Sequence, residues 1–253
     1  MFKTKLIIFF ILLNLYLVKA FTAEKTIAPE QYPFSFSKTL GKIDKNSAQR
    51  GLQVYLEVCA GCHGLKHVAY RSLTDLGYNN DQIKKIAGQF LLDDFPNEEG
   101  EIIKRKAIPS DYFVEPYENF NSAKVANNGA YPPDLSLMVK ARKDGANYIR
   151  SLLLGYLESP EGFDVGEGYY NKYMPGNVIA MPQPLYGDDV IYQDGTEASL
   201  EQVVLDLVTF LTWTSMPELE SRKSAGVKVI FFLFFMTFFL FLSYRKIWSK
   251  LKS

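Results

Sequence analysis

The sequence predicts a mainly α-helical body, interrupted by long irregular insertions and tethered by one C-terminal transmembrane helix. Three observations carry that prediction. Apolar residues recur at helical spacing in two places, Leu52, Tyr55 and Leu56 near the start and Val203, Leu207, Phe210 and Leu211 near the end. Strand-like alternation is scarce between them. Val229 to Tyr244 is a charge-free run of 16 residues dense in Phe and Leu, and with Gly226, Val227 and a snorkelling Lys228 it reaches the length of a bilayer span.

From the N-terminus, Lys3 and Lys5 precede an apolar run of 13 residues, Leu6 to Val18, broken only by Asn14. Val18-Lys19-Ala20 then offers small or apolar residues where a signal peptidase reads. At ~1.5 Å per residue this run is too short for a hydrocarbon core of ~30 Å, so residues 1–20 read as a cleaved secretory signal and the mature chain starts near Phe21. At the other end, Tyr244, Arg245, Lys246, Trp248, Lys250 and Lys252 form an aromatic and basic cluster expected on the cytoplasmic side. The predicted organisation is therefore an exported body over 21–225, an anchor over 226–244 and a basic cytoplasmic tail over 245–253. The uncomplicated signal favours a bacterial inner membrane, with the body on the periplasmic side, over an organellar equivalent.

The first body helix is expected near Ser47 to Cys59 with Ser47 as N-cap. Irregular insertions follow between Leu73 and Ala130 and between Pro160 and Gln193, separated by a helical pattern through Leu135, Met138 and Arg142. The last body helix opens on an S-x-x-Q capping box, Ser199 to Gln202, and ends near Trp213. The two terminal helices should pack on each other.

The chain has 253 residues, 47% of them hydrophobic, enough for a sizeable core. Its 28 basic residues balance 28 acidic ones, which gives no electrostatic reason to expect a nucleic-acid partner. Function therefore has to lie in local features. Only two cysteines and two histidines are present, Cys59, Cys62, His63 and His67.

Cys59 to His63 reads C-A-G-C-H. Cysteines three apart at the end of a helix can each add to one vinyl group of a haem, and the histidine that follows at once is held under the iron. C-x-x-C alone would also suit half a zinc site or a redox pair. Zinc, however, needs further ligands that the chain scarcely has, and a redox pair does not require the adjacent histidine. One covalent haem c is the expected cofactor.

For the second axial position, His67 sits too close to His63 in sequence to reach the opposite face, which leaves a methionine thioether. Met138 lies in a helical pattern and Met216 at a helix end. Met174 and Met181 both fall in the Gly/Pro-rich stretch where an extended chain can wrap over a haem face, and spacing does not choose between them.

An ordered set of segments resembles cytochrome c1, the haem subunit of the cytochrome bc1 complex. They are RGLQVYLEVCAGCH at Arg50–His63, VAYRSL at Val68–Leu73, ANNGAYPPDLS at Ala126–Ser136, KAR at Lys140–Arg142, GNVIAMPQPL at Gly176–Leu185, YQDGTEA at Tyr192–Ala198 and FLTWTSMPE at Phe210–Glu218. The resemblance covers nearly the whole mature chain and implies a class I cytochrome c-like haem domain. It implies Met181 as the sixth iron ligand, from the I-A-M-x-x-P-L context. It also implies that the loop of Asn127, Asn128, Gly129, Pro132 and Pro133 lies along the haem edge, and that Arg142, with Tyr148, meets a propionate.

The resemblance further implies an electron carrier rather than an enzyme in its own right, the respiratory subunit that takes electrons from the Rieske iron-sulfur protein and passes them to a cytochrome c. Its anchor would contact cytochrome b. Two other readings are a stand-alone anchored cytochrome c shuttle and an exported haem enzyme with an open distal site. Eight acidic residues between Asp93 and Glu118, set against Lys104, Arg105 and Lys106, suit steering of a basic soluble partner. The sequence lacks the extra cysteine pair of some bacterial members, and Pro182 restrains the backbone of Met181 instead.

Overall fold

A computed structural model describes residues 27–249 apart from Glu98. The signal segment 1–20 and the expected start at Phe21 lie outside the described residues, as do Lys250 and Lys252 of the basic tail. In chain order the elements are α1 (Lys45–Val54), α2 (Asn80–Ala87), the strands β1 (Leu91–Pro96) and β2 (Ile102–Lys106), α3 (Phe120–Ala126), α4 (Met138–Ala141) and α5 (Gly145–Leu154). The two-residue strands β3 (Tyr169–Tyr170) and β4 (Val178–Ile179) follow, then α6 (Leu200–Ser215) and α7 (Leu219–Ser249). The body is mainly α, as the periodicity predicts.

The crossing of α1 on α6 organises the core. α6 is buried over nearly its whole length from Val203 to Ser215, and Leu52, Val54 and Tyr55 pack into the same cluster with Leu73, Ile83, Leu185 and Phe210. The helices touch at Gly51, where a Cβ would stand 2.0 Å from the carbonyl oxygen of Asp206. Only glycine permits that approach. Tyr70 and Phe113 stack beside it with centroids 4.3 Å apart, an arrangement that adds to simple area burial.

Two expected caps are placed differently. Asp44, not Ser47, caps α1, its carboxylate accepting from the N–H groups of Asn46 at 3.0 Å and Ser47 at 3.2 Å. Ser47 lies inside the first turn and donates to buried Asp206 at 2.7 Å, because its hydroxyl faces α6 and not the helix end. At α6 the helix does begin after Ser199, but Ser199 makes no side-chain capping bond. Gln202 reaches forward to Asp206 at 3.0 Å instead of back to the cap.

The segment from Leu73 to Ala130 is less irregular than its sequence suggests. Asn79 with Gln82, and Asn119 with Ser122, close complete capping boxes that start α2 and α3. Between those helices β1 and β2 form an antiparallel hairpin with a register shift between Asp93 and Pro96. Local caps and a turn at Asn97 to Gly100 hold these pieces, and neither leaves long apolar periodicity in the chain. The segment from Pro160 to Gln193 is irregular as expected, apart from the short pairing of β3 with β4.

α7 has 31 residues, about 46 Å at 1.5 Å per residue, and is long and apolar enough to cross a membrane. None of its apolar stretch is covered by the other described residues. It starts before Gly226 and runs past Tyr244, so the expected anchor is the central part of a longer helix.

Candidate functional site

The C-A-G-C-H motif sits where α1 changes its winding. Beyond Val54 the chain makes one π-helical turn, Tyr55–Cys59, closed by a bond from the N–H of Ala60 to the carbonyl of Tyr55 at 2.8 Å. Such turns shift the side chains after them by one position relative to an α-helix and recur at functional sites. The N–H groups of Cys62 and His63 both donate to the Cys59 carbonyl, at 3.1 and 2.9 Å, folding the motif into a tight turn. Tyr55, fully buried, donates from its hydroxyl to the carbonyl of His63 at 2.9 Å and clamps that turn from below.

Cys59 is partly covered and Cys62 exposed. Burial pushes the Cys59 thiol up to about 12, with the neighbouring Cys62 adding to the effect, so Cys59 stays a neutral thiol. Burial also lowers the pKa of His63, against the opposing pull of the Pro133 carbonyl and Asp134. The imidazole is held neutral, the form that binds metal. Nδ1 of His63 lies 2.7 Å from the carbonyl oxygen of Pro133. A carbonyl only accepts, so Nδ1 carries the proton and Nε2 presents a free lone pair.

The loop that supplies this carbonyl is zipped to the motif. Leu135 N–H donates to Gly64 O at 2.9 Å, Lys66 N–H to Asp134 Oδ2 at 2.8 Å and His67 N–H to Ser136 Oγ at 3.1 Å. His67 itself is exposed. Beside Cys62 a cleft is lined by Gly64, Glu115, Glu118, Phe120, Pro132 and Asp134 among others. Asn127 spends its amide nitrogen inside the chain, on Ala123 O at 2.7 Å and Tyr117 Oη at 3.0 Å, so it fixes the end of α3. Asn128 and Gly129 follow in the left-handed region at φ 50° and 83°.

The two open methionines have different surroundings. Tyr148 Oη donates to Met174 Sδ at 3.9 Å, so the Met174 sulfur is engaged. Met181, partly buried, packs on the same core as Leu56, Cys59, Ala60 and Tyr148, and its carbonyl accepts from Tyr156 Oη at 3.1 Å. Arg142, at the end of α4, is exposed and close enough to Tyr148 to act on its titration. Burial is the larger effect there and raises the Tyr148 pKa.

Of the eight acidic residues from Asp93 to Glu118, Asp94 and Asp111 are paired within the chain by Arg105, at 3.4 and 2.6 Å, and Glu98 lies outside the described residues. No sequence motif marks Tyr55, Asp134, Tyr156 or the Pro133 carbonyl as supporting groups. Each acts through a contact that no local motif encodes.

The thiol, imidazole and thioether donors are the set that a covalently held haem uses, and His63 is oriented to offer a ligand nitrogen. Residues 34–251 match the model of the cytochrome C1 family. The chain belongs to that family. It is 40% identical over 246 residues to cytochrome c1 of Rhodospirillum rubrum, covering 90% of each chain. To cytochrome c1 1, heme protein, mitochondrial, of Arabidopsis thaliana it is 43% identical over 233 residues, 91% of this chain and 76% of the relative. A third relative, cytochrome b/c1 of Bradyrhizobium diazoefficiens, is 39% identical over 244 residues, 87% of this chain and 36% of that longer one.

Proposed function

We propose that this chain is the haem-bearing electron-transfer subunit of a cytochrome bc1 complex, carrying one covalent haem c. The observation that carries the reading is His63 within C-A-G-C-H, its Nδ1 committed to Pro133 and its Nε2 left free, in a member of the cytochrome c1 family.

Cys59 and Cys62 would form the thioethers, and His63 and Met181 would supply the iron's two protein ligands. The engaged sulfur of Met174 supports the choice of Met181. Arg142 offers a guanidinium fork to a propionate, with Tyr148 beside it, and Asn127 and Pro132 shape the edge next to Cys62. A haem bound in this way supplies a one-electron ferric/ferrous couple. The chain's own task would be to hold the His63 imidazole and the Met181 thioether still as the charge changes, leaving the iron closed to substrate. The soft, neutral sulfur of Met181, together with the His63 imidazole, would favour the reduced state and a high potential, which suits an acceptor from a Rieske iron-sulfur protein and a donor to a cytochrome c. The chain makes and breaks no substrate bond itself.

Residues 21–225 form the exported body, 226–244 the span and 245–253 the cytoplasmic tail, the orientation resting on the Arg245 and Lys246 cluster and on a signal over 1–20. The span is the surface for cytochrome b, and the relative named cytochrome b/c1 supports that pairing.

The test is a haem-stained denaturing gel with a pyridine haemochrome spectrum of membranes from cells competent in cytochrome maturation. A haem band that survives denaturation and disappears in Cys59→Ala/Cys62→Ala is expected. A colourless chain overturns the reading.

A further inference from the structure

Between α6 and α7 only Met216, Pro217 and Glu218 intervene. Met216 leaves helical geometry at φ −144°, ψ 60°, and Pro217 has no N–H with which to continue the ladder. A non-helical joint here, leading into a helix whose apolar stretch no other described residue covers, would let the body swing over the membrane. Two side chains one turn apart on α7 remove that freedom.

Lys223 Nζ lies 2.6 Å from Phe36 O, 2.5 Å from Lys38 O and 3.3 Å from Gly41 O. An ammonium has three donors, and all three are taken by backbone carbonyls. Those carbonyls converge because the 34–42 segment is tightly wound. Ser37 N–H donates to Phe34 O at 3.0 Å, Gly41 N–H to Lys38 O at 2.9 Å and Ser35 Oγ to Lys42 O at 2.8 Å. A Cβ on residue 41 would stand 2.1 Å from Ser35 O, so the winding requires glycine. Glu220 adds a second tie, its Oε1 accepting from the N–H of Ile43 at 3.1 Å, and Leu219 is only 4% exposed. The segment so gripped runs directly into α1, the helix that carries the C-A-G-C-H motif.

We propose that Lys223 and Glu220 are positioning residues that lock the exported body to its membrane helix at one orientation. The inference rests on reading α7 as a membrane anchor under the function proposed above. Outer-sphere electron transfer falls off exponentially with separation. A locked body keeps its redox centre at a constant height and tilt relative to a donor in the same complex, whereas a swinging one would spend part of its time out of range.

The test uses the full chain in membranes, with nitroxides on keto amino acids introduced at two exposed positions, Lys84 on α2 and Val229 on α7. Pulsed dipolar resonance should give one narrow distance peak for the wild-type chain and for Glu220→Gln, which keeps an acceptor oxygen. The peak should broaden in Lys223→Met and in Glu220→Ala. Narrow peaks in all four chains would overturn the proposal. Where Lys223→Met fails to accumulate, Glu220→Ala decides alone, because it removes a single bond. The labels report without haem, so a colourless chain would overturn the proposed function and leave the distance result standing on its own.

Discussion

Nδ1 of His63 and the carbonyl oxygen of Pro133 meet at 2.7 Å across 70 residues of chain, and Asp134 holds that meeting in place. Its two carboxylate oxygens accept from Lys66 N–H at 2.8 Å and from Ser136 N–H at 2.9 Å, tying both sides of the turn that presents the carbonyl. Asp134→Ala frees two backbone donors, and a hydrogen bond to a charged group contributes about 1.5–3 kcal/mol, less where water can replace the lost acceptor. The expected outcome is a stability loss of about 2 kcal/mol and a less firmly oriented imidazole. Denaturant unfolding followed at the haem absorption band measures the first. Asp134→Asn, which keeps one acceptor oxygen, should lie between the two.

The α1–α6 pair, the anchor and the C-A-G-C-H turn are legible in the sequence because each writes its own local pattern: apolar spacing, an uncharged run, and fixed ligand spacing. What holds the motif is not legible. Tyr55 reads as one more apolar face residue, yet its hydroxyl grips His63 O. Ser47 reads as a cap, yet a buried partner on α6 takes its hydroxyl. The β1–β2 hairpin escapes notice because neither strand has a fully buried residue, and the half-covered alternate positions of β1 are held by Leu92 and Asp94 and not by a uniformly apolar set. In each case the deciding partner lies far along the chain or in solvent, where periodicity carries no information.

Met181 and Met174 are separable by experiment. Under the proposed ligation, Met181→Leu opens an axial position, lowers the reduction potential and lets the reduced protein bind carbon monoxide. Met174→Leu should leave both properties nearly unchanged, since its sulfur accepts from Tyr148. Redox titration and a carbon monoxide difference spectrum of the two variants settle the matter. An unaltered Met181→Leu spectrum would mean that another group fills the site.

Arg50 and Asp206 form a charged pair inside the helix crossing. Asp206 is fully buried and takes bonds from Arg50 Nε at 2.8 Å, Ser47 Oγ at 2.7 Å and Gln202 Nε2 at 3.0 Å. Arg50, its pKa raised first by the hydrogen bond to Asp206, also reaches Asp194 at 2.9 Å, pinning the chain downstream of Met181. Arg50→Met strands a buried carboxylate, which costs about 3 kcal/mol or more. Arg50→Met/Asp206→Asn should recover part of that loss, because the stranded charge is gone while an acceptor for Ser47 remains. Thermal unfolding of the two variants beside the wild type gives the comparison.

Acid should release the hairpin before it releases the core. The Arg105 guanidinium, 2.6 Å away, holds the Asp111 carboxyl below the ordinary carboxylate range, with the Ile108 N–H helping. A carboxyl with a lowered folded pKa contributes stability that is complete above its unfolded value of about 3.9 and is lost as pH falls through the folded value. Asp111 also carries the carbonyl that accepts from Tyr70 N–H at 2.9 Å, so protonation loosens the tie between the hairpin and the Tyr70 segment. Amide exchange at Ile108 and Tyr70, corrected for the intrinsic effect of pH, should lose protection below about pH 4. Protection at Leu52 and Phe210 in the α1–α6 crossing should persist over the same step. In Asp111→Asn the weakened protection should already be present at neutral pH and no longer follow acidification; a variant that still tracks pH as the wild type does would mean that another group governs the opening.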